Sequence, residues 1–323
     1  MMAGIRRWKL FLCLSFSVVA LILLFGETKF SFSSIRIPAC LQQPQVQEKI
    51  RSVVVDSEVN AQLIVKPVIF VGGVPRSGTT LMRVMLDAHP DIRCGEETRV
   101  VTRLLAMRYN WEVRDIERRR LDSAGLNMSV LDDATRAFIS QVIVNHGPPA
   151  EYYCNKDPLN FKYLKTLIRM FPNGKYILMI RDGRAVAHSI VTRNVTIGGV
   201  DTKSLLSAVS FWNKALTTML EQCNAIGHNK CLSVYYEKLV KDPEFWMRRI
   251  LRFAGIPWHK NVLRHHELIS SKEISLSKME PSTNQVKEPV NSKAIDKWRH
   301  DIPEEMQKKM YRTAPLLSQL GYS

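Results

Sequence analysis

Apolar and polar positions divide the chain into three stretches. Residues 10–25, LFLCLSFSVVALILLF, are apolar almost without a break. From about 27 to 65 the residues mix with weak periodicity. Beyond that, short apolar runs alternate with longer segments whose apolar residues recur every three or four positions. The short runs predict strands at Val68–Val71, Tyr152–Lys156, Tyr176–Ile180 and Cys231–Tyr236. Leu81, Val84, Met85 and Ala88 mark a helix after the first strand. Further helical patterns cover 129–146, 159–170, 201–226 and 243–254, with others from about Ser292 and Pro303. Their ends carry breakers: Gly147-Pro148-Pro149, Pro172-Asn173-Gly174 and Gly227. Strands alternating with helices predict an α/β domain with a mostly parallel sheet and ligands at the carboxyl ends of its strands. Ser270–Pro289 reads as a polar loop, long enough to be functional or disordered.

The first apolar run, about 16 residues, is at the short end for a membrane span. Arg6, Arg7 and Lys9 precede it and little positive charge follows, which predicts a cytosolic N-terminus and a lumenal remainder. The rival is a cleaved signal peptide, but Phe25-Gly26-Glu27-Thr28-Lys29 is a poor cleavage site. A short span fits the thin membranes of the early secretory pathway. The expected organisation is a cytosolic tail (1–9), a transmembrane signal anchor (10–26), a lumenal stem (27–65) with a helix near Val46–Val54, and one globular domain (66–323). Cys13 falls in the span and Cys40 in the stem; Cys94, Cys154, Cys223 and Cys231 lie in the body, an even number suited to an oxidising compartment. Spacing does not reveal their pairing. Asn127-Met128-Ser129 and Asn194-Val195-Thr196 permit glycosylation in such a compartment.

Charge adds a constraint. Lys and Arg number 46 against 30 Asp and Glu, for a formal +16 over 323 residues. That balance calls for an anionic partner. Nucleic acid is not indicated, because zinc-finger spacing, recognition-motif aromatics and a basic low-complexity tail are all missing. No His/Cys cluster has metal spacing, so no metal is expected. The glycine loop after the first strand is more specific. Gly73 and Gly78 keep the spacing of the nucleoside-triphosphate motif G-x-x-x-x-G-K-S/T, but Thr79 replaces its lysine and Arg76 supplies a cation inside the loop. Strand, glycine loop and helix offer backbone N–H groups to a phosphate. Without the lysine the loop suits a 5′-phosphate rather than a triphosphate with Mg²⁺.

The run GGVPRSGTTLMRVMLDAHPDIRCGEETRV, Gly72 to Val100, closely resembles the tyrosylprotein sulfotransferases. Further matches are CNKDP at Cys154–Pro158, RDGRAVAHSIVTR at Arg181–Arg193 and SLSKMEPSTNQV at Ser275–Val286, so the resemblance covers about Pro67 to Tyr322. It implies a P-loop-like sulfotransferase fold in a Golgi enzyme that moves a sulfuryl group from PAPS (3′-phosphoadenosine 5′-phosphosulfate) to tyrosines in acidic contexts, releasing adenosine 3′,5′-bisphosphate. It also implies a homodimer, with Trp111 near the contact, and the disulfides Cys94–Cys154 and Cys223–Cys231.

The same resemblance assigns roles. Glu97 is the implied general base. Arg76 and Lys156 face the sulfuryl group, and Ser277 faces the bridging oxygen. Ser77, Gly78, Thr79 and Thr80 hold the 5′-phosphate, with Arg76. Arg181, Ser189 and Arg193 suit the 3′-phosphate as two cations and a hydroxyl. Tyr236 lines the nucleotide site. The loop formed by Ser277, Lys278, Met279, Glu280, Pro281, Ser282, Thr283, Asn284, Gln285 and Val286 covers the nucleotide. Arg99 and Arg103, spaced i, i+4, share a helix face that reads acidic flanks. Arg118–Arg120 read as a solvated face. One departure stands out: Glu288 precedes Pro289 where the family is expected to carry lysine, and Lys287 lies one residue earlier. Three other readings share parts of this pattern: a carbohydrate sulfotransferase, a nucleotide kinase, and a non-catalytic protein that binds PAPS or acidic peptides.

Overall fold

The computed structural model describes residues 67–322 apart from 278, 281, 291, 293 and 294. The anticipated tail, anchor and stem, with Cys13 and Cys40, lie outside the described residues, as do Lys278 and Pro281 of the loop. Among the described residues, no helix is long and apolar enough to cross a membrane.

Five strands form one sheet: β1 (Ile69–Gly73), β2 (Ile92–Arg93), β3 (Tyr152–Lys156), β4 (Lys175–Ile180) and β5 (Cys231–Tyr235), in the order β2-β3-β1-β4-β5. All four pairings are parallel; Val71 lies opposite Lys156 on one side and Ile177 on the other. A parallel sheet needs both faces covered, and side chains alternate between them. Phe70, Tyr176, Leu178 and Ile180 enter one core cluster, while Ile69, Val71, Ile177, Met179 and Val234 enter the other. That is why β1 and β4 read as uninterrupted apolar runs.

The helices follow the strands: α1 (Thr79–Asp87), α2 (Val100–Val113), α3 (Asp115–Ser123), α4 (Met128–Val144), α5 (Leu164–Met170), α6 (Gly183–Thr192), α7 (Leu205–Ile226), α8 (Tyr236–Lys241) and α9 (Pro243–Ala254). Their starts are chemically marked. Asn127 caps α4 by accepting from the Val130 N–H, Asp182 caps α6 through the Arg184 N–H, and Asp242 precedes Pro243 and accepts from the Phe245 N–H. Gly255, at φ 75°, ends α9 in left-handed backbone. β2 was not legible in the sequence, being two residues long. Tyr236 opens α8 rather than ending the preceding strand.

Two disulfides close within the domain. The sulfurs of Cys94 and Cys154 are 2.18 Å apart, and those of Cys223 and Cys231 2.00 Å. The first ties the segment after β2 to β3, two residues before Lys156. Arg108 is a structural element. It is fully buried and bonded to Asp132 at 2.6 Å and Glu112 at 3.3 Å.

Candidate active site

Three of the principal cations and the tyrosine leave the same edge of the sheet. Arg76 follows β1, Lys156 ends β3, Arg181 follows β4 and Tyr236 follows β5. This is the carboxyl edge, where a doubly wound sheet leaves a crevice between loops that diverge to opposite faces. The loop after β1 is shaped for close approach. Gly78, at φ 98°, is left-handed, and a Cβ there would lie 2.5 Å from Tyr236 Cδ2. Arg76 is also left-handed, at φ 78°, a costly conformation for a non-glycine residue. It aims the guanidinium back across the loop.

Two cavities flank this loop. One, about 240 Å³, is lined by Arg76, Gly78, Thr79, Thr80, Arg181, Tyr236, Ser282, Asn284, Gln285, Val286 and Glu288. The other, about 320 Å³, is lined by Arg76, Thr79, Thr80, Glu97, Arg99, Arg103, Asp157, Glu280 and Ser282, together with Val195–Gly198. Arg76, Thr79, Thr80 and Ser282 belong to both. The two spaces therefore meet at the start of α1.

At the junction lies a compact ionic group. Lys156, whose side chain is fully enclosed, donates to Glu97 Oε2 at 2.6 Å and to Glu280 Oε2 at 2.9 Å. The other Glu280 oxygen accepts from the Glu97 N–H at 2.9 Å, and Thr80 Oγ1 donates to Glu280 Oε2 at 3.2 Å. Burial alone would raise the Glu280 carboxyl. The Lys156 charge and hydrogen bond, the Glu97 N–H and the Arg83 charge outweigh it and hold Glu280 below the usual glutamate range. Asp157, next along the chain, moves the other way. Burial pushes its carboxyl up against the opposing Thr102 N–H, which it accepts at 3.0 Å.

In the first cavity the cations crowd one another. Burial, then the charges of Arg193 and Arg181, push the Arg76 guanidinium down to about 10. Arg76 Nε donates to Ser189 Oγ at 2.9 Å, and its terminal nitrogens reach Ser282 and Gln285. Arg181 donates to the Arg76 carbonyl at 3.2 Å and lies 4.3 Å from the Tyr236 ring centre. Loops under this cavity are braced from below. Trp212 Nε1 donates to the Arg181 carbonyl at 3.1 Å, and Glu237 accepts from the Asp182 N–H at 2.9 Å and the Tyr322 hydroxyl at 3.0 Å. The long loop is tied across the top. Arg83 donates to the Ser275 carbonyl at 3.0 Å, and Ile274 and Val286 pack on Val84 of α1 and on Ala88 at its end.

A family model described as "Sulfotransferase family" matches residues 67–260. The chain is 54% identical over 257 residues to Protein-tyrosine sulfotransferase 1 of Danio rerio, a match spanning 79% of this chain and 72% of the relative. It is 53% identical over 257 residues to Protein-tyrosine sulfotransferase 2 of Gallus gallus, spanning 79% and 69%. The chain belongs to the protein-tyrosine sulfotransferase family. Among solved structures, the sulfotransferase domain from the curacin biosynthetic pathway aligns with a TM-score of 0.55 at 21% identity, covering 80% of this chain and 98% of that one. At that identity the likeness speaks for the sulfotransferase fold alone.

Glu97 and Lys156 are in direct contact, and Thr79 and Thr80 sit at the junction. Ser77 is buried in the loop, its N–H donating to the Val74 carbonyl at 3.0 Å. Arg76 lines both cavities, and its guanidinium is bonded to Ser189, Ser282 and Gln285. Ser189 is thus bonded to Arg76, and Arg193 is exposed at the end of α6.

Ser277 is not among the residues lining either cavity; its hydroxyl accepts from the Met279 N–H at 3.1 Å, and its carbonyl accepts from Thr283 at 2.7 Å. Met279 is 89% exposed. Arg99 is the cap residue before α2, at φ 59°, rather than a member of its face, yet it and Arg103 line the second cavity together. Glu288 lines the first cavity, placing a carboxylate among groups suited to phosphate, whereas Lys287 is not part of that lining. Arg118 and Arg120 pair with Asp115 and Glu117 on the exposed face of α3. Asn127 and Asn194 are exposed. The central position of Glu280 had no separate signal in the sequence, where it was one residue of a covering loop.

Proposed function

We propose that the chain transfers a sulfuryl group from PAPS to the hydroxyl of tyrosines in acidic stretches of secretory and membrane proteins. The observation that carries this reading is the meeting of the two cavities at Arg76, Thr79, Thr80 and Ser282, with the Glu97–Lys156 pair beside the junction. A donor on one side and an acceptor on the other then face each other across the phosphate loop. The residues of the first cavity fit the nucleotide. Two guanidinium groups, Arg76 and Arg181, and a glycine loop before a helix match a ligand with several phosphate charges, and the Arg193 charge acts on Arg76 from beside the cavity. Arg181, Arg193 and Ser189 would take the 3′-phosphate. The Gly78, Thr79 and Thr80 amides and the Arg76 side chain would take the 5′-phosphate, with the Tyr236 ring alongside.

When bound, PAPS supplies the sulfuryl group and departs as adenosine 3′,5′-bisphosphate. The protein's part is proton removal and charge stabilisation. A phenol titrates near pH 10, and ionising it fully at pH 7 costs about 4 kcal/mol. Glu97 does not need to supply that in advance; it accepts the proton as the new bond forms and the phenol acidifies. Lys156, oriented by Glu97 and Glu280 behind the cavity linings, would stabilise negative charge developing at the transferring group and the leaving phosphate. Ser277, on the covering loop, would donate to the bridging oxygen. Arg99 and Arg103 would attract acidic residues beside the tyrosine.

The same reading sets the chain in the Golgi membrane as a single-pass type II protein with its catalytic domain in the lumen. The basic residues before the 10–25 run and the disulfides support it. Asn127 and Asn194 would then be open to glycosylation. A homodimer is supported by exposed Met107, Tyr109, Val113 and Ile116, which neighbour Trp111 in sequence. The test is acceptor competition: labelled sulfate from PAPS, offered to the full chain with a tyrosine peptide bearing acidic flanks, its phenylalanine counterpart and a sugar acceptor. Label on the tyrosine peptide alone is the expected result; label on the sugar would overturn the acceptor assignment.

A further inference from the structure

The Glu97 carboxylate is held by two cations of different standing. Lys156 is fully enclosed and takes Oε2 at 2.6 Å. Arg99 is 49% exposed and donates from Nε to Oε1 at 3.0 Å. It sits at the head of α2 in left-handed backbone and lines the acceptor cavity with Glu97 and Arg103. While Oε1 accepts from the guanidinium, that lone pair is not open to the phenol O–H. The Lys156 contact is internal to the fold. The Arg99 contact stands at the surface, where an ion pair is weak and exchanges partners at small cost.

We infer that Arg99 is a charge-sensing restraint on Glu97: a carboxylate beside the acceptor tyrosine takes over the guanidinium and releases Oε1 to receive the phenol proton. The proton would pass from the phenol O–H to Oε1, the phenol oxygen keeping the electron pair that forms its bond to sulfur, while the bond from sulfur to the 5′-phosphate oxygen breaks and its electron pair leaves with adenosine 3′,5′-bisphosphate. Acidic flanks therefore act on turnover as well as on binding. Arg103 lines the same cavity but makes no ion pair with Glu97 among the described residues. Its contribution is to binding. The inference rests on the reading of Glu97 as the base.

The experiment measures kcat and KM of the full chain at saturating PAPS with two tyrosine peptides, identical except for Asp or Asn beside the tyrosine. In the native protein the Asp peptide has the higher kcat, roughly fivefold, equivalent to about 1 kcal/mol at 1.36 per tenfold. In Arg99→Gln the Asn peptide rises to about that kcat, and the flank no longer alters kcat. Arg103→Gln raises KM for the Asp peptide and leaves the kcat ratio in place. Arg99→Lys, which keeps a cation at the head of α2, retains a flank effect on kcat. Glu97→Gln is inactive on both peptides. Turnover in Glu97→Gln would remove the base reading itself. With that control silent, a flank effect confined to KM in the native protein, or an equal fall in kcat on both peptides in Arg99→Gln, would overturn the inference alone.

Discussion

Replacing Lys156 by methionine gives the most informative single perturbation of the ionic group. The lysine side chain is fully enclosed, and its two carboxylate partners, Glu97 and Glu280, are only 13% and 8% exposed. Methionine fills similar volume but leaves both carboxylates facing each other without their shared cation. Breaking a buried pair on one side costs about 3–5 kcal/mol. At roughly 2–4 °C per kcal/mol for a domain of this size, the melting temperature should fall by about 10 °C. Sulfate transfer should be lost as well.

The assay is thermal unfolding at pH 7 of the native chain, Lys156→Met and Lys156→Met/Glu280→Gln. The double variant should recover part of the loss, because one abandoned charge is gone, yet stay inactive. Acid provides a second check. The Glu280 carboxyl is held below its usual value in the fold, so its contribution is present above about 4.5 and is lost as pH falls through the lower folded value. The gap between native and Lys156→Met should therefore narrow as pH falls below that point. A melting shift under 2 °C, or a double variant less stable than the single, would refute the pairing argument.

Other perturbations reach other parts of the account. The Cys94–Cys154 bridge closes a loop with a sequence separation of 60; replacing both cysteines by alanine should cost about 4 kcal/mol by chain entropy, and a loss below 1 kcal/mol in denaturant melts would contradict that. Gly78→Ala should destabilise the loop by about 1–3 kcal/mol and weaken nucleotide binding, since φ 98° and the Tyr236 ring leave no room for a Cβ. Arg181→Ala should raise the PAPS dissociation constant at least about tenfold, the loss of one charge-assisted bond; an unchanged constant in calorimetry would remove it from the phosphate site. Glu288→Gln should tighten PAPS binding about threefold by taking a carboxylate away from the nucleotide cavity, on the order of 0.6 kcal/mol. Weaker binding would show that Glu288 assists the ligand.

The legible parts of the molecule are those fixed by local pattern. β1 and β4 announce themselves because a parallel strand buried on both faces must be apolar throughout. Arg76, Lys156, Arg181 and Tyr236 were readable as a set because each lies at or just after the carboxyl end of a strand. β2 escaped because two residues carry no periodicity. Three site features are not set by motif or spacing. Glu280 meets Thr80, Lys156 and Glu97 only because its loop folds back over α1 from 124 to 200 positions away. The turn of Arg76 toward Ser189 goes with left-handed backbone at an arginine, which no motif shows. Arg99 looked like one more member of a helix face, because spacing cannot tell a cap residue from the first residue of the helix.

The central claim is that Glu97, in the second cavity beside its junction with the first, takes the proton in sulfuryl transfer. The most direct measurement pairs PAPS binding by calorimetry with labelled-sulfate transfer to an acidic-flanked tyrosine peptide, for the native full chain and Glu97→Gln. The account predicts a dissociation constant within about twofold of native and turnover lower by at least about a hundredfold, the usual scale for a lost general base. Near-native turnover in Glu97→Gln with PAPS bound normally would contradict it.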